Sequence, residues 1–262
     1  MPDHAQPDHA QPDYVSIPDQ HLNPSVAAVY DHGHADRFSP DDVGPTVDLL
    51  LELGGDGPIV EFAIGTGRIA LPLAERCQAN VQIYGIDFSE PMLDHLREKP
   101  GADRIILSSG DMTTTRVCSD ASLVYLVFNT IGNLRTQAGQ VACFQNAATH
   151  LAPGGRFVVE VVTPQIHRLP AGETIRPFDV SENHLGFDEY VDPVNQILIS
   201  HHFYIDGDRA RTLAGAFRYV WPSELDLMAL LAGMQLEHRW ADWHRNEFTA
   251  DSPSHVSVWR KQ

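Results

Sequence analysis

The chain has 262 residues, 43% of them hydrophobic and 20% charged, which is ample for a large buried core and excludes disorder of the bulk. Its net charge of −17 excludes a general nucleic-acid or anionic-membrane binder, because a phosphate-binding surface needs an excess of cations. Cys77, Cys118 and Cys143 stand at no metal-type spacing and read as reduced thiols, with no metal expected. The longest apolar run, Leu123 to Phe128, is strand-sized, and the polar N-terminus carries no leader-like segment, so the expectation is a soluble, cytoplasmic protein.

In chain order, Pro-Asp-His-Ala-Gln occurs at 2–6 and again at 7–11, a low-complexity repeat that predicts a disordered tail over 1–20. That tail holds Asp3, Asp8, Asp13 and Asp19 and no Lys or Arg, so the remainder is acidic too. Val43, Val47, Leu50 and Leu51 stand at helical spacing and predict a helix over 41–53, stopped by Gly54-Gly55. A strand is predicted over 58–63, a helix over 66–77 and a strand over 81–86. Ser89 and Pro91 open a helix to Lys99. Strands follow over 104–107 and 123–128, a helix over 136–151, a break at Ala-Pro-Gly-Gly 152–155, and a fifth strand over 156–162. Alternating strands and helices with short links predict a doubly wound, mostly parallel sheet.

The alternation stops there. Residues 164–221 show no convincing helix but β-rich runs over 187–191, 196–205 and 211–220, with a turn signal at Asp206-Gly207-Asp208. They predict an antiparallel insert, a lid or a dimer interface. A helix from Pro222 to Gly233 and strands over 235–243 and 255–259 complete the chain as a terminal antiparallel hairpin. The expected organisation is a tail over 1–20, one domain from 21–163 with 222–262, and the insert between.

Ligands of an open parallel sheet bind beyond the carboxyl ends of its strands. The first strand runs into Glu61-Phe-Ala63-Ile-Gly65-Thr66-Gly67-Arg68, whose glycines permit close backbone approach at a helix start. The second runs into Asp87-Phe88, the third into Gly110-Asp111-Met112, the fourth into Phe128-Asn129. Gly65-x-Gly67-x-x-Ala70 satisfies a loose dinucleotide fingerprint, which keeps an NAD-dependent oxidoreductase in view. Glu61 and Asp111 oppose it, since both would repel a pyrophosphate and suit a cationic, phosphate-free ligand. Asp87 and Asp111 are also ordinary capping residues.

The first three of these segments, with Leu151-Ala-Pro-Gly-Gly-Arg-Phe157, resemble in order and spacing the motifs of class I S-adenosylmethionine-dependent methyltransferases, over about residues 25–162. The resemblance implies a Rossmann-like methyltransferase sheet and S-adenosylmethionine as cofactor. It implies that Ala63 and Gly65-Thr66-Gly67 pack against the methionyl part and ribose, and that Glu61 orients the glycine loop. It further implies Asp87 on the ribose hydroxyls, Phe88 beside adenine, Asp111 with Met112 at the adenine amino group, and the Phe128 carbonyl at the methionyl ammonium. Tyr30 looks like an aromatic lid over the cofactor. Ala63 departs from the family, which most often has Gly there.

Asn129-Thr-Ile-Gly-Asn-Leu134 followed by a β-rich insert also resembles amino-sugar N-methyltransferases of antibiotic pathways and, more distantly, glycine N-methyltransferase. The expected activity is methyl transfer to N or O of a small molecule in secondary metabolism. An NAD-dependent oxidoreductase and a non-catalytic S-adenosylmethionine-binding module are the alternatives. Candidate acceptor-pocket groups are His32, His34, Asn129, Tyr190, His201, His202, His244 and Ser252; no catalytic base is identifiable. The expected partner is a small molecule, with neither nucleic acid nor membrane; the sequence leaves the oligomeric state open, a homodimer through the insert being one arrangement.

Overall fold

A computed structural model describes residues 39–207 and 209–262, together with Tyr14, Ile17 and Asp31. Tyr30, His32, His34 and most of the expected tail therefore lie outside the described residues. Within that tail, the Tyr14 hydroxyl donates to Asp192 Oδ2 at 2.8 Å, and the Ile17 carbonyl accepts from Arg135 at 2.8 Å. Both points are tied to the folded body.

Five parallel strands form the centre: β1 (Ile59–Phe62), β2 (Ile83–Asp87), β3 (Ile105–Ser109), β4 (Ala121–Leu126) and β5 (Leu151–Val162). The hairpin of β10 (Met234–Trp240) and β11 (Ser254–Lys261) extends the sheet, with β11 antiparallel to β5, giving the order β10-β11-β5-β4-β1-β2-β3. The order reverses between β1 and β4, the switch point where a ligand crevice opens.

Helix α1 (Pro40–Gly54) starts because Ser39 Oγ accepts the Asp42 N–H and Pro40 fixes φ in the first turn; it stops as Gly55 turns to φ 56° and returns its N–H to Leu51. With α2 (Ala70–Arg76) and α3 (Glu90–Arg97) it buries Val47, Leu50, Leu73, Leu93 and Leu96 on one face of the sheet. On the other face α4 (Gln137–His150) and α5 (Pro222–Leu231) pack Phe144, Leu225 and Met228 on Phe62, Phe157 and Trp259. Each sheet face is thus sealed, which is why β4 and β5 read as nearly unbroken apolar runs. Cys143 is in this core, and Cys77 and Cys118 are half-buried; none is in a disulfide. No helix among the described residues is long and apolar enough to cross a membrane.

Two elements differ from the sequence reading. The 152–155 break is a bulge within β5: Leu151 pairs with Ala121, the chain bows out, and pairing resumes at Arg156↔Leu123. The insert has four strands, not three: β6 (Ile175–Val180), β7 (His184–Asp192), β8 (Ile197–Asp206) and β9 (Arg209–Arg218), paired antiparallel in that order. Strand β6 lies at the sheet edge, where Pro177 is tolerated because one side of an edge strand needs no ladder bond.

The foot of this meander is locked to α4 and α5. The Arg218 side chain, 4% exposed, donates to Gln140 Oε1, to Gln196 Oε1 at 2.8 Å and to Glu224 Oε1 at 2.7 Å. Removing one member of such a buried charged set strands the others. Arg218→Ala is expected to destabilise the protein by about 3–5 kcal/mol, read as a lowered urea midpoint.

Candidate functional site: the carboxyl edge of the parallel sheet

The segment after β1 reverses sharply before α2 begins at Ala70, four residues later than the sequence suggested, because its first turn is spent on the reversal. Gly65 and Gly67 adopt φ 55° and 82°, which only glycine takes without cost. A Cβ on Gly65 would meet no atom within 4 Å, so the outer surface of the turn is open, whereas one on Gly67 would collide with Leu96. Ala63 has φ 53°. A left-handed alanine costs about 1–2 kcal/mol, partly offset in a glycine variant by the freer unfolded chain. Ala63→Gly is therefore expected to stabilise the protein by roughly 0.5–1 kcal/mol in chemical denaturation.

Asp87 holds this turn. Its Oδ2 accepts the Gly65 N–H at 2.7 Å and its Oδ1 the Ser89 N–H at 2.8 Å, while its carbonyl takes the Gly110 N–H at 2.9 Å. Three strand exits are thereby stitched together. Asp111, exposed, turns Oδ1 to the Thr113 N–H at 2.7 Å within a turn and caps no helix. The Gly110–Thr115 turn is pinned from below by Asn146 of α4, whose amide donates to the carbonyls of Met112 and Thr115, each at 2.9 Å. Phe88 is 45% exposed and Phe128 37% exposed, both at the rim and neither in the core.

Glu61 lies one step below. It is buried, and its Oε2 accepts the Tyr125 hydroxyl at 2.8 Å. Burial pushes its pKa up to about 8, with Asp87 adding to the rise and Tyr125 and Arg68 opposing it. A largely protonated acid thus lies beneath the open turn. The cations nearby are committed: the Arg68 guanidinium stands 4.9 Å over the Phe128 ring and 3.7 Å from Asp42, and Lys99 pairs with Asp31 and donates to the Thr66 carbonyl at 2.7 Å.

Sequence reasoning missed that Asp31 knot. Thr66 Oγ1 donates to Asp31 Oδ1 at 2.6 Å, and His95 is 3.5 Å from the same carboxylate. Burial alone would raise the Asp31 pKa; Lys99, Thr66 and His95 outweigh it and hold it low. The knot fixes the residue after Tyr30 to the glycine turn, although Tyr30 itself lies outside the described residues.

Of the five non-glycine residues with positive φ among the described residues, Ala63, Phe128 and Asn129 stand on this rim. Each such position costs about 1–3 kcal/mol, and such positions gather at functional sites. The remaining acceptor candidates scatter. The Asn129 side chain accepts the Val162 N–H at 3.1 Å, and the buried Tyr190 hydroxyl accepts the Gln165 N–H at 3.2 Å. His202 bonds His184 at 3.0 Å on the Tyr190 face of the meander, while His201 stacks on Phe187 on the opposite face, so the two cannot share a pocket. His244 is exposed and its N–H goes to Asp242; Ser252, buried, caps Thr249.

The open turn, Asp87 and Asp111 at two strand exits and the buried Glu61 fit a cationic nucleoside without phosphates. The methyltransferase domain family matches residues 59–155. The CcbJ methyltransferase of Streptomyces caelestis is 34% identical and superposes with a TM-score of 0.79 over 92% of this chain and 98% of that one. The chain belongs to the class I S-adenosylmethionine-dependent methyltransferases. This methyltransferase is also 39% identical over 141 residues to the dTDP-3-amino-3,4,6-trideoxy-alpha-D-glucopyranose N,N-dimethyltransferase of Streptomyces venezuelae, a match spanning 50% of this chain and 58% of that protein. CalS10 of Micromonospora echinaspora, an amino pentose methyltransferase solved with SAM bound, shares the fold of the methyltransferase at a TM-score of 0.68 and 18% identity, over 89% of this chain and 97% of that one. The family's cofactor is S-adenosylmethionine, and the dinucleotide fingerprint around Gly65 has its explanation in that turn rather than in a pyrophosphate site.

Proposed function

We propose that this methyltransferase methylates the nitrogen of a small, hydroxylated amine of the amino-sugar class. The acid-rich surroundings of the open glycine turn, with Glu61, Asp87 and Asp111, support the cofactor site; the acceptor class rests on the similarity to a nucleotide-linked amino-sugar N,N-dimethyltransferase. When bound, S-adenosylmethionine supplies an electrophilic methyl group on a sulfonium. Gly65-Thr66-Gly67 and Ala63 seat its methionyl and ribose parts, Asp87 meets the ribose hydroxyls, Phe88 flanks adenine, and Asp111 beside Met112 takes the adenine amino group. The Phe128 carbonyl meets the methionyl ammonium.

The acceptor enters between this rim, the 241–253 loop and the meander over 164–221. The chain's main contribution is to hold two reactants in line and away from water, an effect that reaches roughly 7–11 kcal/mol in well-oriented cases. Asn129, Tyr190 and Glu160 spend their polar atoms on holding the rim and its surroundings, so no side chain among them is set to deprotonate a hydroxyl. An amine that arrives unprotonated needs no base. The test is methyl-label transfer by the full chain to amino sugars, their N-acetyl derivatives and their hydroxyl parents. Label should enter the free amines alone; equal transfer to the hydroxyl parents would refute the acceptor class.

A further inference from the structure

Glu160 lies two residues before the end of β5, on the face where Val158 packs beside Trp243. Its acceptors all serve neighbouring segments. Oε2 accepts the Phe128 N–H at 2.8 Å, Oε1 accepts the Trp243 indole N–H at 2.9 Å, and the main-chain carbonyl accepts the Asn129 N–H at 3.2 Å. One residue therefore grips two successive N–H groups of the turn after β4. That turn needs gripping, because Phe128 and Asn129 are adjacent and both left-handed, at φ 60° and 58°.

The consequence follows from peptide planarity. In a trans peptide the carbonyl and the next N–H point in opposite directions. The Asn129 N–H is aimed at β5, so the Phe128 carbonyl is aimed away from β5. In the order β5-β4-β1, that direction is toward β1 and the open glycine turn. Trp243 belongs to the loop between β10 and β11, which the proposed function sets beside the acceptor, so the same carboxylate joins that loop to the turn after β4.

We propose that Glu160 is a positioning residue: its main-chain carbonyl aims the Phe128 carbonyl toward the methionyl ammonium of the cofactor, its carboxylate holds that left-handed turn in place through the Phe128 N–H, and through Trp243 it ties the setting to the acceptor loop. The inference rests on the assignment of the Phe128 carbonyl made above. In Glu160→Gln one of the two donors faces an amide NH₂ and loses its acceptor; in Glu160→Ala both do.

The test compares two ligands on the full chain, S-adenosylhomocysteine and 5′-methylthioadenosine, which lacks the amino-acid end. The unaltered protein should bind S-adenosylhomocysteine more tightly; absence of that preference would refute the Phe128 assignment itself. Given the preference, Glu160→Gln and Glu160→Ala should weaken S-adenosylhomocysteine about tenfold while 5′-methylthioadenosine stays within about twofold, a selectivity that general loosening of the fold does not produce. Trp243→Phe removes one hydrogen bond and keeps the Phe128 anchor, so it should give the same selectivity at about two- to threefold; it decides the matter if the Glu160 variants do not fold. Equal weakening of both ligands, or of neither, overturns the role of Glu160 and leaves the Phe128 assignment standing.

Discussion

Asp87→Ala is expected to lower S-adenosylmethionine affinity at least about a hundredfold. The Asp87 carboxylate accepts two N–H groups, from Gly65 at 2.7 Å and Ser89 at 2.8 Å. A hydrogen bond to a charged group contributes about 1.5–3 kcal/mol, and each 1.4 kcal/mol is a factor of ten. Alanine releases the glycine turn and removes the acceptor proposed for the ribose hydroxyls, so both the shape and the chemistry of the site go. Asp87→Asn keeps the volume and can satisfy one of the two donors, and should lie between alanine and the native protein. Equilibrium titration of a variant with native far-ultraviolet dichroism checks this. Binding within about threefold of the unaltered protein would remove Asp87 from the site.

Glu61 should make cofactor binding depend on pH. Buried, with Arg68 and Tyr125 offsetting only part of that cost, it keeps its proton until about pH 8, against an ordinary 4.5. A positively charged ligand favours the ionised form, so binding below pH 8 releases up to one proton. Affinity should rise with pH by up to about tenfold per unit and level off above 8. Calorimetry in two buffers of different ionisation heat counts the proton directly, and Glu61→Gln should abolish both the release and the slope. The unliganded fold follows the opposite trend. Between pH 4.5 and 8 the native state holds a proton that the unfolded chain has lost, so stability falls as pH rises through that window. A pH-independent affinity in the unaltered protein would contradict the placement of Glu61 beneath a cation.

The parallel layer was legible because its signals are local. Apolar period, the Ser89 cap and glycine stops each act within a few residues, and the structure realises that cap through Met92. The glycine turn, Asp87 and Asp111 were legible for a topological reason, since residues just past parallel strands must gather on one edge. The partners that hold them were not. Thr66 meets Asp31 from 35 positions away, Asn146 meets Met112 from 34, and Glu160 meets Phe128 from 32. No periodicity encodes such pairings. Asn146 alone left a trace, a buried polar residue among Cys143, Phe144 and Ala147 on α4. Strand β6 escaped because Pro177 interrupts its alternation, and the opposed faces of His201 and His202 follow from a two-residue period that could have been applied to them at once.

The antiparallel meander pairs its strands in sequence order, β6 to β7 to β8 to β9, and is anchored at its foot by Tyr190, Gln196 and Arg218. Hairpins joined in this way can be lengthened, trimmed or resurfaced at their tips without shifting the register of any strand in the larger sheet. If the meander borders the acceptor as proposed, changes at its tips alter what is modified while the carboxyl edge of the parallel sheet keeps its geometry.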